Sequence, residues 1–318
     1  MKALLTLANG ETFEGTGIGA AGHATGEVVF NTAMSGYQEI LTDPSYRRQI
    51  VTLTHPHIGN TGTNKEDEES NGVWCSGLIV KDRPRVASNW RNQRGLSEYL
   101  AEYNIVGIAG IDTRKLTRIL RDEGSQNGCI LAADTIGDAE RKLAAREASA
   151  FPGLAGMDLA VEVTSSIQYA WTQGSWYPGK GFQEAPDTRF HVVAYDFGVK
   201  RNILRMLVDR GCRLTVVPAA TAAVEVLGMN PDGIFLSNGP VIPIHATTRL
   251  LQSESFLKPR FPCSGSVSGC SCLGSPWGSR RRRWVTATTA PIIRSKTLTT
   301  ALCSSRARTM ASALTRPP

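Results

Sequence analysis

The chain has 318 residues, 41% hydrophobic and 20% charged, the composition of a globular protein with room for two domains of ordinary size. No apolar run is long enough to span a bilayer, and the short run Ala3–Leu7 is interrupted by Asn9-Gly10 before it can serve as a signal peptide, so a cytoplasmic protein with no membrane partner is expected. The net charge of +7 does not point to nucleic acid: residues 241–318 hold ten Arg, two Lys and one Glu, a local +11, which leaves the preceding body at −4.

Residues 1–150 read as a mixed α/β domain. "ALLTLANGETFEG" predicts a hairpin, with Asn9-Gly10 suited to a type I′ turn. "GEVVFNT", "QIVTLTHP", "SGLIVKD" and "NIVGIAG" are strands rich in β-branched residues. "DTRKLTRILRDEG" is a helix capped by Asp112, with Leu116, Ile119 and Leu120 on one face and Gly124 at its end; a second helix covers "DAERKLAAREAS". Residues 151–189 carry Gly, Pro and Trp without period and read as a linker packed on both domains.

Residues 190–240 alternate strand and helix. "FHVVAYDFG" is a strand buried on both faces. "KRNILRMLVDRG" is a helix with Ile203, Leu204, Leu207 and Val208 on one side and Gly211 closing it. "RLTVVPA", the weaker helix "AAVEVLGMN" and the strand "DGIFLSNG" follow. This β-α-β-α-β order predicts a parallel sheet that binds ligands at the carboxyl ends of its strands, where Ser237-Asn238-Gly239 sits. From Val241 the periodicity stops. "CSGSVSGCSCLGSPWGSRRRRW" is rich in Ser, Gly and Arg, and residues 241–318 read as a basic tail rather than a domain.

Cys75, Cys129 and Cys212 stand in apolar surroundings and read as buried thiols. Cys270-Ser-Cys272 lacks the spacing of a zinc site, and His55 and His57 have no acidic or Cys partner at ligand spacing, so no metal is expected and the two histidines read as strand-end structural residues. The four Arg at 280–283 beside Trp284 have the chemistry of a phosphate contact, but an out-of-frame translation yields the same run by accident.

The stretches "GEVVFNTAMSGYQEILTDPSY", "RRQIVTLTHPHIGNTGTN", "GIDTRKLTRILRDEGSQNGCI", "FPGLAGMDLA", "WTQGSW", "HVVAYDFGVKRNILRMLVDRGCRLTVVPA" and "NPDGIFLSNGP" closely resemble the glutamine-hydrolysing small subunit of carbamoyl-phosphate synthase. The resemblance implies an α/β fold class in which the mixed first domain is followed by a class I glutamine amidotransferase-like parallel sheet, here truncated. It implies L-glutamine as substrate. It also implies a large synthetase subunit as partner, which joins ammonia, bicarbonate and ATP into carbamoyl phosphate for arginine and pyrimidine synthesis. The small subunit itself requires no cofactor. Ser45 matches a position that gives a hydroxyl to glutamine, and Gly239 matches a backbone position beside it; their ordinary alternatives are a turn Ser after Pro44 and a tight-turn Gly.

In that family a Cys in a Gly-x-Cys-x-Gly turn attacks the carboxamide, and a His oriented by the Glu of a His-Pro-Glu motif serves it. This chain departs from the pattern at Gly239-Pro240-Val241-Ile242-Pro243, where the family has Gly-Pro-Gly-Asp-Pro, and no nucleophile turn follows in the frame as translated. No catalytic residue is therefore assigned.

Joining the third base of each codon to the first two of the next changes this. From Pro240 to Thr248 the shifted triplets permit Gly-Asp-Pro-x-Pro-Cys-Asp-Tyr; from Pro262 to Gly269 they permit Val-Phe-Gly-Ile-Cys-Leu-Gly; from Arg306 they permit Ser-Gln-Asn-His-Gly. Three matches in order and in one frame imply the loss of one base at the Pro240 codon. The His-Gln that usually follows Leu-Gly is not encoded, and His-Pro-Glu is recovered in neither frame. The competing expectation is a non-catalytic interaction protein that keeps the first domain for docking and binds through its basic tail.

Overall fold

The computed structural model describes residues 1–184, 187–240 and 263–265. The chain forms two compact units, Met1–Met157 and Asp158–Pro318. Apart from Cys263–Gly265, the basic tail expected at 241–318 lies outside the described residues.

The first unit is a closed barrel. Its strands are β1 (Lys2–Leu7), β2 (Thr12–Gly19), β3 (Gly22–Asn31), β4 (Gln49–Leu53), β5 (Gly77–Val80), β6 (Val106–Ala109) and β7 (Gln126–Ala133). They run in the order β1-β2-β6-β5-β4-β3-β7, and β7 returns to β1. The parallel pairs are β3–β4, β4–β5 and β5–β6, and the remaining pairs are antiparallel.

Side chains alternate across this sheet, as the two-residue period of a strand requires. Leu5, Ile50, Ile79, Ile108 and Ile130 share one buried cluster with Leu116 and Leu120. Val51, Leu53, Leu78 and Val80 belong to another, packed with α1 (Tyr37–Leu41) and α2 (Leu96–Glu102). Leu116 and Leu120 come from α3 (Thr113–Glu123), whose amino end is capped as expected: the Asp112 carboxylate accepts the Lys115 N–H at 2.9 Å. The Ala-rich face of α4 (Asp138–Ala150) packs Ala144 and Ala148 against Leu4 and Leu131.

The first hairpin forms, but its turn is not type I′. Gly10 has a left-handed φ of 90°, whereas Asn9 is not among the residues with positive φ. The Gly10 N–H donates to the Leu7 carbonyl at 3.0 Å and the Leu7 N–H to the Glu11 carbonyl at 2.9 Å, which makes a three-residue loop ending in a glycine bulge. The Asn9 side chain explains the choice: its Oδ1 accepts the Glu11 N–H at 3.0 Å, a local bond available in this loop.

The second unit is an open sheet. It contains α5 (Ala160–Val163), β8 (Tyr169–Trp171), β9 (Gln173–Tyr177), β10 (Gly181–Glu184), β11 (Phe190–Asp196), α6 (Arg201–Val208), β12 (Cys212–Pro218), α7 (Ala223–Gly228), β13 (Gly233–Leu236) and β14 (Cys263–Gly265). The order is β14-β13-β11-β12-β8, with β8 antiparallel to β12 and the rest parallel. Strands β9 and β10 form a separate hairpin. It is tied to α6 where the Asp209 carboxylate accepts the Ser175 N–H at 2.9 Å and the Arg205 guanidinium lies 4.2 Å over the Phe182 ring.

Both faces of β11 are buried, as its continuous apolar run requires. Val192 and Ala194 pack with Leu204, Leu207 and Val208 of α6, while Val193 and Tyr195 pack with Val226 of α7 and Ala160 of α5. Strand β14 was not legible in the tail. It pairs through the main chain, Ile234 with Cys263 and Leu236 with Gly265, and backbone pairing leaves no side-chain period to read. Among the described residues no helix is long and apolar enough to cross a membrane.

Candidate functional site

The order β12-β11-β13 places the first two crossovers on opposite sides of β11, so the carboxyl ends of β11 and β13 flank a topological switch point. Two loops meet there, Asp196-Phe197-Gly198-Val199 after β11 and Ser237-Asn238-Gly239-Pro240 after β13. Their geometry is set by two buried side chains, Asp196 and Ser237, of which only Ser237 stands in the turn expected from the sequence.

Asp196 ends β11 and is 6% exposed. Its Oδ1 accepts the N–H groups of Gly198 and Val199, both at 2.9 Å, which turns the chain sharply toward α6. Its Oδ2 accepts the Ser165 N–H at 2.8 Å, fixing the segment that follows α5. A lone Asp closing an apolar strand just before Phe-Gly is the sequence signal for such a turn.

Ser237 is fully buried. Its Oγ accepts the Phe197 N–H at 2.9 Å and donates to the Asn238 carbonyl at 2.8 Å, while its own N–H donates to the Tyr195 carbonyl at 3.2 Å. A serine at the end of a strand invites reading as a nucleophile, but here the hydroxyl proton is engaged and the oxygen is shielded from solvent.

Gly239 lies two residues further on. A Cβ there would sit 1.9 Å from the Phe197 carbonyl oxygen, so the position has no room for a side chain. The glycine is required by this close approach and not by a left-handed φ, since Gly239 is not among the positive-φ glycines. Ser237 and Gly239 thus grip the same residue, Phe197, from two sides.

Ser45 lies in the first unit, in a 3₁₀ turn over Pro44–Tyr46. The Asp43 carboxylate, 4% exposed, accepts the Ser45 N–H at 2.9 Å, and the Ser45 side chain is half-buried. The neighbouring Tyr46 hydroxyl accepts from Asn31 Nδ2 at 2.9 Å. These bonds fix the backbone that carries the hydroxyl. His55 and His57 form a local turn in which the His57 N–H donates to His55 Nδ1 at 3.2 Å. Among the described residues no group of three or more His, Cys, Asp or Glu is placed to hold a metal ion.

The described side chains of the second unit include one Cys and one His, and both lie at the far end of the sheet. Cys212 and His191 stand at the start of β12 and near the start of β11, where Phe190 pairs with Cys212. At about 3.3 Å per residue, His191 is about 17 Å along the strand from Asp196. Burial pushes the Cys212 thiol up to about 11 and lowers the His191 pKa, with Arg213 adding to the latter. Burial likewise pushes Cys75 and Cys129 up to about 12. All three thiols are neutral near pH 7, so none is an activated nucleophile. The reading of these cysteines as buried thiols agrees with their placement.

Comparison with known proteins gives the two units distinct matches. Residues 5–130 match the family described as "Carbamoyl-phosphate synthase small chain, CPSase domain", and residues 193–275 match "Glutamine amidotransferase class-I". The chain is 60% identical over 282 residues to the carbamoyl phosphate synthase small chain of Salmonella typhimurium and, over the same length, to that of Photobacterium profundum. It is 59% identical over 282 residues to that of Escherichia coli K12. In each case the alignment covers 88% of this chain and 73% of the relative.

Proposed function

The chain belongs to the carbamoyl-phosphate synthase small-chain family and carries a class I glutamine amidotransferase domain, and from that premise we propose that its gene encodes the subunit that hydrolyses glutamine and passes ammonia to a large synthetase subunit. That partner forms carbamoyl phosphate from ammonia, bicarbonate and ATP for arginine and pyrimidine synthesis. The subunit works in the cytoplasm and needs no cofactor of its own. Gly239 presents its backbone to glutamine, and Ser45 supplies a hydroxyl to it.

The chain as translated does not catalyse this step, because the reading frame is lost at Pro240. One observation carries this reading. Strand β14 continues the parallel sheet at Cys263–Gly265, where the shifted triplets spell Val-Phe-Gly immediately before Ile-Cys-Leu-Gly. Leu236 pairs with Gly265, so a nucleophile turn following β14 would start level with Ser237. A thiolate there, with backbone N–H groups aimed at the developing oxyanion, supplies the chemistry that the described cysteines lack.

The test is ammonia release from glutamine in the presence of the large subunit. It compares the chain as translated with the product of the gene carrying one inserted base at the Pro240 codon and its full downstream sequence. The first releases no ammonia above background. The second is active and loses about a thousandfold or more when the recovered Cys is replaced by Ala. Activity in the chain as translated, or none in the restored product, contradicts the proposal.

A further inference from the structure

We infer that Ser237 is a positioning residue of the glutamine site, a clamp that sets the distance between the two loops at the carboxyl ends of β11 and β13. The inference rests on the glutamine-site reading above and adds to it a residue that never touches the substrate.

The hydrogen-bond capacity of the hydroxyl assigns the role. Its proton goes to the Asn238 carbonyl at 2.8 Å and its oxygen receives the Phe197 N–H at 2.9 Å. With the side chain fully buried, nothing of it reaches a ligand. What it controls is where Phe197 stands, and the Phe197 carbonyl is the group against which Gly239 lies. Asp196 holds the same loop from its other side through Gly198 and Val199. Phe197 is therefore fixed by Asp196 from before, by Ser237 through its N–H, and by contact with Gly239 at its carbonyl.

Removal of the hydroxyl has a defined consequence. Ser237→Ala leaves the Phe197 N–H buried without its acceptor, and the loop relieves this by moving away from β13 or by admitting water. Either response shifts Gly239, whose backbone is the proposed contact to glutamine. Thr retains the donor and the acceptor, so Ser237→Thr preserves the clamp wherever its extra methyl group is accommodated.

Two measurements test this. In the full chain as it stands, hydrogen exchange of the peptide containing Phe197 speeds up about tenfold in Ser237→Ala and stays near the parent rate in Ser237→Thr. In the frame-restored protein with its large subunit, Ser237→Ala raises KM for glutamine about tenfold with kcat within about twofold, and Ser237→Thr returns KM toward the parent value. A merely structural loss lowers the amount of active protein and leaves KM unchanged. Unaltered exchange at Phe197 overturns the clamp, and unaltered KM overturns its role in positioning glutamine. An inactive restored parent removes the glutamine site and this role with it, while the exchange measurement still judges the clamp separately.

Discussion

In the barrel of Met1–Met157 each of seven strands has a strand neighbour on both sides, whereas among the described residues the sheet of the second unit runs from β8 on one side to β14 on the other. Closure satisfies every ladder within residues 2–133. The open sheet has a switch point and thus a crevice, but its strand order reaches past Pro240 to complete itself. The difference bears on how each tolerates an error in its message. A frame lost at Pro240 leaves every barrel residue as written. On the proposed reading it leaves the sheet its β14 pairing but takes from the sequence after it the Gly-x-Cys-x-Gly turn that would bring chemistry to the crevice.

The largest expected effect is in the barrel. Ile50 is fully buried among residues of β1, β5, β6 and β7, and its neighbours are held by ladders on both sides. Ile50→Ala should cost about 3 to 4 kcal/mol, read as the fall in urea midpoint followed by exchange of β3–β5 peptides. A loss below about 1 kcal/mol would mean that the closed barrel is loosely packed and that closure confers no special rigidity.

A somewhat smaller effect is expected in the open sheet, confined to its crevice. Gly239→Ala places a Cβ against the Phe197 carbonyl, so one of the two loops must move. In the frame-restored protein kcat/KM for glutamine should fall about a hundredfold, the order expected when a reacting group is displaced by about 1 Å. A change within threefold would show that Gly239 is only a turn residue.

Residues 190–240 were legible in the sequence because β11, α6, β12, α7 and β13 each declare themselves alone. The apolar run Val192–Tyr195 has no polar face to offer, and Leu204, Leu207 and Val208 recur at helical spacing. Strand β7 was harder. Gly128, Cys129 and two alanines dilute its β-branched content, and its pairing with both β1 and β3 is a property of closure that no local window contains. Strands β8, β9 and β10 hid because Gly, Gln and Trp dilute the β-branched content of their stretch.

At the site, Gly239 was visible as a turn residue, but its reason was not. The reason is the carbonyl of Phe197, forty-two positions earlier in the chain. Ser237 was visible as part of the turn at the carboxyl end of β13, and Asp196 only as a polar residue ending an apolar strand. The bond of Ser237 to Phe197 follows from the pairing of β11 with β13, and that of Asp196 to Ser165 from the packing of α5 on the sheet. Ser45 was assigned by resemblance, and its fixed backbone at Asp43 is a detail that composition cannot supply.

The central claim is that the frame changes at Pro240 while the gene continues to spell an amidotransferase. The DNA from the Pro240 codon to the Ala311 codon tests it most directly, by determining bases that the amino-acid sequence leaves open. The expected third base of the Ser266 codon is T, so that T joined to the GT of Val267 encodes the nucleophilic Cys. A should end the Arg308 codon and C the Thr309 codon, which together encode Asn-His in the shifted frame. Any base other than T at Ser266 leaves no cysteine in the turn and contradicts the claim.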